Sequence, residues 1–485
     1  MTKTAAIVGG GVIGGGWAAR FLLNGWDVRI SDPDPEAGRK IDEVLANARR
    51  SLPGLADVAL PPEGRLSFAA SIAEAVTGAD WIQESVPERL DIKHKVLAEI
   101  QAHCSVDAVI GSSTSGFKPT ELQQGAIRPE QIVVCHPFNP VYLLPLIEVV
   151  GGDSPAAATA DKAAAILTEL GMKPLKVRKE IDAHIADRFL EAVWREGLWL
   201  IKDGIATTEE IDDAIRFGFG IRWAQMGLFE TYRVAGGEAG MAHFIAQFGP
   251  CLSWPWTKLM DVPELTDDLV KAIADQSDAQ SGMHSIRELE RIRDNNLVAM
   301  MRSLKGQNWG AGALLNQHDT RLRAAEPAVD FSAPIRTLAR AVPIDWTDYN
   351  GHMNEARYLE SFSKATDRFM ELCGCDADYI AGGDSYFTAE SHIRHINEAN
   401  AGDQVYVEAL LLDGQGKKMH IFNSLYHADG RLLATCEQIL LHVSLETRRT
   451  TAPKAAVGEM LAMIQAHHDK LPRPEGIGRA VGQRK

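Results

Sequence analysis

A glycine-rich loop near the N-terminus is the feature that most constrains the fold of this chain. Residues 4–8 form a short apolar run, Gly9, Gly11 and Gly14 follow with the spacing G-x-G-x-x-G, and a helical pattern comes next. In a strand–loop–helix unit the first glycine permits a tight turn, the second lets the backbone approach a pyrophosphate, and the third lets helix and strand pack closely. The helix N-terminus also attracts the anion. The sequence therefore predicts a dinucleotide-binding fold at the start of the chain.

An acidic residue at the end of the second predicted strand indicates which dinucleotide binds. Residues 27–31 form that strand, and Asp32 follows it, eighteen residues after Gly14. A carboxylate at this point can accept both ribose hydroxyls of NAD and would repel the 2′-phosphate of NADP. No arginine adjoins Asp32, so we expect NAD as the cofactor. The alternative interpretation is a glycine turn without a ligand.

Apolar runs alternate with helical patterns up to about residue 180. Further runs lie at 81–86, 109–113, 132–135 and 174–177. Such alternation predicts an α/β fold, a parallel Rossmann-type sheet wound on both sides. Ligands of such sheets bind at the carboxyl ends of the strands, where residues 112–115 and His136 fall. We therefore expect these hydroxyls and the imidazole to converge on one crevice.

Changes in composition divide the chain into predicted domains. Residues 1–180 form the dinucleotide-binding domain, and helical patterns rich in tryptophan mark 181–322 as an all-α domain for substrate binding and dimerisation. Two prolines and a lapse of periodicity indicate a linker at 323–334. One helical pattern followed by strand-like runs predicts an α+β domain at 335–470, with an antiparallel sheet wrapped around a helix. The polar and basic residues 471–485 predict a loose tail.

The overall composition excludes several classes of partner. Fifty basic against sixty-five acidic residues give a net charge of −15, so we expect no binding to nucleic acid or anionic membrane. No apolar run approaches twenty residues and no secretory signal opens the chain, so we expect a cytoplasmic protein. Only Cys373 and Cys375, among six cysteines, are close together, and their spacing suits neither zinc nor a redox pair. We therefore expect free thiols and no metal site.

A histidine and a glutamate form a candidate acid–base pair. His136 stands where a predicted strand ends, and Glu148 lies on the next apolar run. A histidine can act as a base near neutral pH, and a buried carboxylate at its other nitrogen both orients it and stabilises its charged form. The alternative is a core histidine followed by a solvated glutamate.

The first 320 residues resemble the 3-hydroxyacyl-CoA dehydrogenase family. The resemblance rests on the glycine loop, the turn at residues 113–115, and the sequence His-Pro-Phe-Asn-Pro at 136–140 with a glutamate twelve residues after the histidine. It implies that His136 is the catalytic base and Glu148 its partner. It also implies that Ser115 and Asn139 hold the substrate hydroxyl or carbonyl oxygen.

One position departs from the family pattern. This chain has Asp187 where the family usually has asparagine, and Asp187, Glu191 and Trp194 share one face of a predicted helix. Carboxylates and aromatic faces attract quaternary ammonium groups. The resemblance therefore points to the branch of the family that oxidises L-carnitine, a free hydroxy acid with a trimethylammonium group. The alternative is that Asp187 only caps its helix or forms an ion pair there.

The last 150 residues resemble hotdog-fold thioesterases of the 4-hydroxybenzoyl-CoA type. The resemblance rests on Asp348 and on Gly-His-Met-Asn at 351–354. It implies that Asp348 is nucleophile or general base and that amides at the helix start polarise the thioester carbonyl of an acyl-CoA. The alternative is that Asp348 merely caps the helix. Carnitine-oxidising enzymes of the first family resemble this chain in sometimes carrying a fused thioesterase, thought to act on betainyl-CoA, so the fusion supports the carnitine interpretation.

Other functions remain open at this point. The dehydrogenase half could instead act on a 3-hydroxyacyl-CoA thioester, or on a sugar acid or another 3-hydroxy acid. A third alternative is a crystallin-like structural role or an acyl-binding role without catalysis. The resemblance also implies a homo-oligomer, because active sites in both families are usually built across subunits.

Overall fold

The chain divides into two compact units in a computed structural model that describes residues 2–151, 156–235, 240–248, 250, 255–258 and 264–481. The first unit comprises Met1–Arg49 and Pro61–His318, and the second comprises Arg50–Leu60 and Asp319–Lys485. Residues 50–60 thus belong to the second unit, although the sequence predicts them in the dinucleotide-binding domain. The predicted domain boundaries stay a prediction. Within the described ranges, no helix is long and apolar enough to cross a membrane.

An eight-stranded sheet forms the centre of the first unit, in the order β3-β2-β1-β4-β5-β6-β7-β8. Its strands are β1 (Thr4–Val8), β2 (Asp27–Ser31), β3 (Leu66–Phe68), β4 (Trp81–Glu84), β5 (Val109–Ser112), β6 (Ile132–Pro137), β7 (Leu146–Val150) and β8 (Lys173–Val177). The predicted Rossmann-type fold is confirmed, and the strands β1 to β6 are parallel. The prediction of a parallel strand is wrong for the run at 174–177, which is β8, because β8 pairs parallel with β7 and β7 pairs antiparallel with β6. Residues 138–145, the connection between them, are too few for the crossover that a parallel pair needs.

Helices cover this sheet and then continue into a helical region. The helices are α1 (Val12–Leu22), α2 (Ala37–Ser51), α3 (Ile72–Val76), α4 (Leu90–His103), α5 (Pro119–Leu122), α6 (Ala157–Glu169), α7 (Ala186–Lys202), α8 (Thr208–Ala214), α9 (Gly220–Ala235), α10 (Gly240–Phe248), α11 (Asp267–Ser281), α12 (Ile286–Ser303) and α13 (Gly310–Ala324). Local signals fix several helix starts: Ser285 begins α12, for example, with a reciprocal capping box to Glu288. The apolar core lies between the sheet and its helices, around Val8, Ile82 and Val134.

The second unit is a five-stranded antiparallel sheet packed on one long helix. Its elements are β9 (Ile335–Ala341), α14 (Glu355–Leu372), α15 (Ala377–Ala381), β10 (Asp384–His395), β11 (Gln404–Asp413), β12 (Lys418–His427), β13 (Leu432–Ser444) and α16 (Ala455–His468). The strand order is β10-β13-β12-β11-β9. Phe362, Ala365 and Phe369 on α14 are fully buried against the sheet. The predicted helix wrapped by an antiparallel sheet is confirmed.

The C-terminal residues contact the sheet of the second unit as far as they are described. Leu471 and Ile477 pack against a small apolar cluster on β11 and β12, and the N–H of Gly478 donates to Glu437 at 2.7 Å. These contacts were not expected for a loose tail, because that prediction rested on the polar and basic residues of the segment and not on its two apolar residues. Residues 482–485 of that tail and Cys251 lie outside the described residues, and the five described cysteines are free thiols.

Candidate active sites

The glycine loop joins β1 to α1 with a conformation that needs glycine at two positions. Gly9 has φ +99°, and a Cβ on Gly14 would lie 1.8 Å from the carbonyl oxygen of Gly9. A Cβ on Gly11 would meet no atom within 4 Å, so the backbone there faces open space. The first amides of α1 follow directly, and such amides have no acceptor within their helix. These features fit the pyrophosphate of a dinucleotide.

Asp32 follows β2 and contacts the glycine loop. One carboxylate oxygen accepts the N–H of Gly10, and the other accepts the N–H of Asp34 at 2.7 Å. A carboxylate oxygen has more than one lone pair, so Asp32 can fix the loop and still accept ribose hydroxyls. The structure thus brings together all four residues predicted to bind the cofactor, and their chemistry fits NAD.

His136 and Glu148 form a buried pair at the carboxyl end of β6. The His136 Nδ1 lies 3.0 Å from Glu148 Oε2, and the two side chains are 5% and 0% exposed. The other oxygen of Glu148 accepts the N–H groups of Ile185 and Ala186 at 2.8 and 2.9 Å. Burial alone would raise the pKa of Glu148, but these hydrogen bonds outweigh it and hold the pKa below its usual range. Glu148 is therefore an ionised carboxylate that can stabilise a positive charge on His136.

Ser115 approaches the nitrogen of His136 that Glu148 does not contact. Its hydroxyl oxygen lies 3.2 Å from His136 Nε2. The loop that carries Ser115 is anchored by the neighbouring Thr114, whose hydroxyl donates a hydrogen bond to Glu88. Glu88 in turn forms an ion pair with the buried Lys93 at 3.2 Å. The Ser115 hydroxyl and His136 Nε2 can therefore both form hydrogen bonds with a single substrate hydroxyl.

Asn139 is the other residue predicted to contact the substrate oxygen. Its side chain is exposed, and it lines a cavity of about 270 Å³ together with Gly11, Val12 and Tyr142. Within the described part of the chain, no hydrogen bond joins it to His136. The structure therefore brings Asn139 close to the glycine loop, whereas its predicted contact with the substrate oxygen stays a prediction.

Asp187 faces the same nitrogen of His136 as Ser115 does. The Asp187 Oδ2 lies 3.6 Å from His136 Nε2. Asp187 stands in the first turn of α7, but Ile185 is the N-cap and no side chain caps this helix. Burial raises the pKa of Asp187, and the nearby His136 opposes that shift. The carboxylate therefore faces Nε2 of His136 and does not cap the helix.

The other two predicted substrate residues on α7 lie further out. The carboxylate of Glu191 lies 3.7 Å from the guanidinium of Arg195. The side chain of Trp194 is 63% exposed, and it stacks on no other ring of the described residues. In the single chain the aromatic face is thus open to solvent, and the predicted aromatic cage stays a prediction.

His184 is a residue that the motif search did not single out. It is fully buried, its ring centroid lies 5.6 Å from that of His136, and neither ring nitrogen has a hydrogen-bond partner of normal geometry in the described structure. Ala183 and His184 both have positive φ, 59° and 52°, a conformation that costs energy for residues other than glycine. Burial lowers the pKa of His184, so the ring is neutral. The signal in the sequence was a histidine inside the segment that departs from the family pattern.

The second candidate site lies in the loop between β9 and α14. The Asp348 carboxylate accepts the N–H of Asn350 at 2.8 Å, and the Asp348 N–H donates to the carbonyl of His352 at 2.9 Å. The N-cap of α14 is Asn354, whose side chain accepts the N–H of Ala356. Asp348 therefore does not cap the helix, and its carboxylate stands in a tight turn before the helix start.

A doubly wound dinucleotide-binding sheet with a buried histidine–carboxylate pair at the carboxyl end of β6 defines an NAD-dependent dehydrogenase. Residues 4–181 match the 3-hydroxyacyl-CoA dehydrogenase NAD-binding domain, residues 184–273 match the C-terminal domain of the same family, and residues 342–461 match the thioesterase-like superfamily. The chain belongs to the 3-hydroxyacyl-CoA dehydrogenase family, with a thioesterase-like domain fused to it. The predictions of an enzyme, of NAD and of a fused hotdog-type domain are thereby confirmed.

Relatives resemble this chain along its whole length. It is 70% identical to an L-carnitine dehydrogenase/betainyl-CoA thioesterase of Ruegeria pomeroyi, over 99% of both chains. It is 61% identical to an L-carnitine dehydrogenase of Mesorhizobium japonicum, over 68% of this chain and 92% of the relative. Among solved structures, an NAD⁺-dependent dismutase, 5-formyl-3-hydroxy-2-methylpyridine 4-carboxylic acid 5-dehydrogenase, matches with a TM-score of 0.55 at 28% identity, covering 63% of this chain and 99% of that one.

Proposed function

We propose that the first unit oxidises L-carnitine to 3-dehydrocarnitine with NAD, and that the second unit hydrolyses betainyl-CoA to glycine betaine. The proposal is supported by the names of relatives that span the full chain. It is also supported by Asp187, the observation that carries the choice of substrate. A carboxylate 3.6 Å from the reacting nitrogen of His136 suits a substrate whose cationic group lies two carbon atoms from its hydroxyl.

The chain's own residues supply the proton transfer. Neutral His136 takes the proton of the 3-hydroxyl at Nε2, and Glu148 at Nδ1 stabilises the imidazolium that forms. Ser115, 3.2 Å from the same Nε2, holds the hydroxyl oxygen, and Asn139 assists it. The glycine loop and Asp32 would hold NAD, which would supply the acceptor for the hydride of C3. Asp187, Glu191 and Trp194 bind the trimethylammonium group.

The thioesterase reaction is assigned to Asp348. Its carboxylate acts as nucleophile or as general base on water, and backbone amides at the start of α14 polarise the thioester carbonyl. Both substrates then share one cationic group, because betainyl-CoA carries the same trimethylammonium as carnitine.

The assembly in which these reactions take place is proposed to be a cytoplasmic homo-oligomer without nucleic acid or membrane. Phe189, Leu190, Val193 and Trp194 of α7 are 41–63% exposed in the single chain. A group of large apolar side chains on one helix favours burial against another subunit. Free thiols and the net charge of −15 support the remaining parts of the proposal.

A comparison of substrates tests the proposal. NADH formation is followed with L-carnitine, D-carnitine, 3-hydroxybutyryl-CoA and L-gulonate, and release of free CoA is followed with betainyl-CoA and butyryl-CoA. We expect oxidation of L-carnitine and hydrolysis of betainyl-CoA to dominate. Preference for 3-hydroxybutyryl-CoA would instead assign an acyl-CoA dehydrogenase, and no activity with any alcohol would reject the first half of the proposal.

A further inference from the structure

We propose that Asp57, far from the thioesterase motif in sequence, is a positioning residue of the hydrolase site. The proposal rests on the thioesterase function proposed above, since it concerns the loop that carries Asp348. Asp57 belongs to residues 50–60, which interrupt the first unit in sequence and are part of the second. A hydrolase unit that begins at residue 319 would lack this segment.

The segment packs tightly within the second unit. Leu52–Leu55 form a short 3₁₀ helix, and Leu52, Leu55 and Val58 are at most 5% exposed. A Cβ on Gly54 would lie only 3.2 Å from the Cα of Pro343, so the two backbones approach closely at the end of β9. This contact brings Asp57 to the side chain of Arg340 on β9.

Arg340 has no exposure to solvent, and Asp57 supplies its carboxylate. The Arg340 Nη1 donates to Asp57 Oδ1 at 2.6 Å, and the remaining nitrogens donate to the carbonyls of Ala341 at 3.1 Å and Ala56 at 3.4 Å. Breaking a buried ion pair by removing one partner is strongly destabilising, so the Asp57 carboxylate helps to hold the Arg340 guanidinium in place. The position of Arg340 therefore depends on Asp57.

Arg340 in turn covers the residue at the start of the catalytic loop. Its guanidinium lies 4.3 Å from the ring centre of Trp346, which is 1% exposed. The carbonyl of Trp346 accepts the N–H of Asn354 at 2.9 Å, and Asn354 caps α14. This hydrogen bond closes the loop that carries Asp348, with Trp346 and Asn354 at its two ends. A shift of Trp346 would move both the carboxylate and the helix start.

Other cations make the charge of Asp57 more important. The Lys364 Nζ lies 3.8 Å from Asp57 Oδ1 and 5.6 Å from the centre of the Trp346 ring. Arg357 lies 5.8 Å from the same ring. Glu360 pairs with both Lys364 and Arg357, so Asp57→Asn would remove one of the carboxylates that balance the three cations around Trp346. We therefore expect the loop, and not the whole sheet, to respond first.

The test compares Asp57→Asn with Glu63→Gln in the full-length chain. Glu63 also pairs with an arginine, Arg49 at 2.6 Å, but both side chains are partly exposed and lie outside the segment. For Asp57→Asn we expect faster amide hydrogen exchange in residues 346–354, with β10–β13 still protected. We expect kcat for betainyl-CoA hydrolysis to fall on the order of ten- to a hundredfold with a smaller change in KM, since misplacement of a reacting group has effects of that size. Carnitine oxidation should stay unchanged, and Asp57→Glu should restore part of the hydrolysis.

Several results would overturn the proposal. Equal amide hydrogen exchange in residues 346–354 of Asp57→Asn and Glu63→Gln would overturn it. This holds whether or not any thioester is hydrolysed, because amide exchange does not require the proposed activity. Loss of protection from exchange throughout β10–β13 would assign Asp57 a purely structural role. Hydrolysis by Asp57→Glu that is no faster than hydrolysis by Asp57→Asn would lead to the same conclusion. If exchange changes as expected but the unmodified chain hydrolyses no thioester, the thioesterase proposal fails and the positioning of the loop stands.

Discussion

His136 and Glu148 lie directly opposite each other in the antiparallel pair β6–β7, with 3.0 Å between His136 Nδ1 and Glu148 Oε2. Opposed residues of neighbouring strands project to the same face of a sheet, so the register of two strands sets this contact. A slip by one residue would turn Glu148 to the other face. The spacing of twelve residues in the sequence therefore covers the end of β6 after His136, the connection at 138–145 and the start of β7 up to Glu148.

Replacement of the histidine should separate chemistry from cofactor binding. In His136→Ala the base is absent, so NADH formation from L-carnitine should fall by about two to four orders of magnitude. NAD binding, measured by titration of protein fluorescence, should stay near normal because the glycine loop and Asp32 are intact. His103→Ala, at an exposed position, is the control. Loss of NAD binding together with activity would assign His136 a structural role.

Replacement of the glutamate should change both activity and the dependence of stability on pH. The pKa of Glu148 is lowered in the folded chain, so its carboxylate stabilises the fold above the usual glutamate value of 4.5, and this contribution is lost as the pH falls through the folded value. Glu148→Gln should therefore lower the free energy of unfolding at pH 7 by about 1–3 kcal/mol. It should also flatten the loss of stability below pH 4.5 and reduce kcat about a hundredfold or more.

Denaturant unfolding at several pH values measures this effect. The control is Glu169→Gln, since the ion pair of Glu169 with Lys3 is exposed. An unchanged pH profile in Glu148→Gln would contradict the assignment of Glu148 as an ionised partner.

Removal of the charge at Asp187 should change the choice of substrate. Burial raises the pKa of Asp187, so its ionised form costs stability at neutral pH, and this cost is relieved as the pH falls through the raised value. Asp187→Asn should therefore raise the melting temperature at pH 7. The KM for L-carnitine should rise at least about tenfold, because a charge pair at such a site contributes on the order of a few kcal/mol.

Oxidation of 3-hydroxybutyrate, which lacks the ammonium group, gives the internal comparison and should not weaken in Asp187→Asn. Asp182→Asn is the control variant, because Asp182 is largely exposed and pairs with Lys118. Equal losses with both substrates would show that Asp187 does not recognise the cation.

The two activities should be separable at Asp348. Asp348→Asn keeps the shape of the turn but removes the carboxylate, so CoA release from betainyl-CoA should fall by two orders of magnitude or more. NADH formation from L-carnitine should persist. Asp378→Asn, at an exposed position of α15, is the matched control in the second unit. Hydrolysis that survives in Asp348→Asn would exclude Asp348 as the catalyst.

Replacement of two glycines of the loop by alanine should impair the protein for different reasons. A methyl group on Gly14 would overlap the carbonyl of Gly9, so Gly14→Ala should lower stability by about 1–3 kcal/mol. A methyl group on Gly11 meets open space, so Gly11→Ala should fold normally. It should bind NAD more weakly, because the methyl group would keep the pyrophosphate from the close approach to the backbone that the second glycine of the motif allows. Thermal unfolding and NAD titration of both variants measure this difference. Normal NAD binding by Gly11→Ala would place the cofactor elsewhere.

Short-range patterns predicted most of the fold. The strand-like runs predicted after the helical pattern within 335–470 are present as the strands β10 to β13. Alternation of apolar residues and turn glycines is local information, which is why such strands can be read from sequence. The direction of β7 could not be predicted in this way, since it depends on the path of the eight-residue connection between β6 and β7.

The sequence by itself determined the dinucleotide-binding loop, the histidine and glutamate, and the second unit, because each is a local pattern or a fixed spacing. Only the tertiary structure decided that Asp187 faces His136, that the neutral His184 lies next to His136, and that Asn139 lines a cavity together with Gly11 of the glycine loop. It also decided that Asp57 pairs with Arg340, 283 residues away. Contacts over such distances depend on the packing of elements against one another, and no pattern of neighbouring residues encodes them.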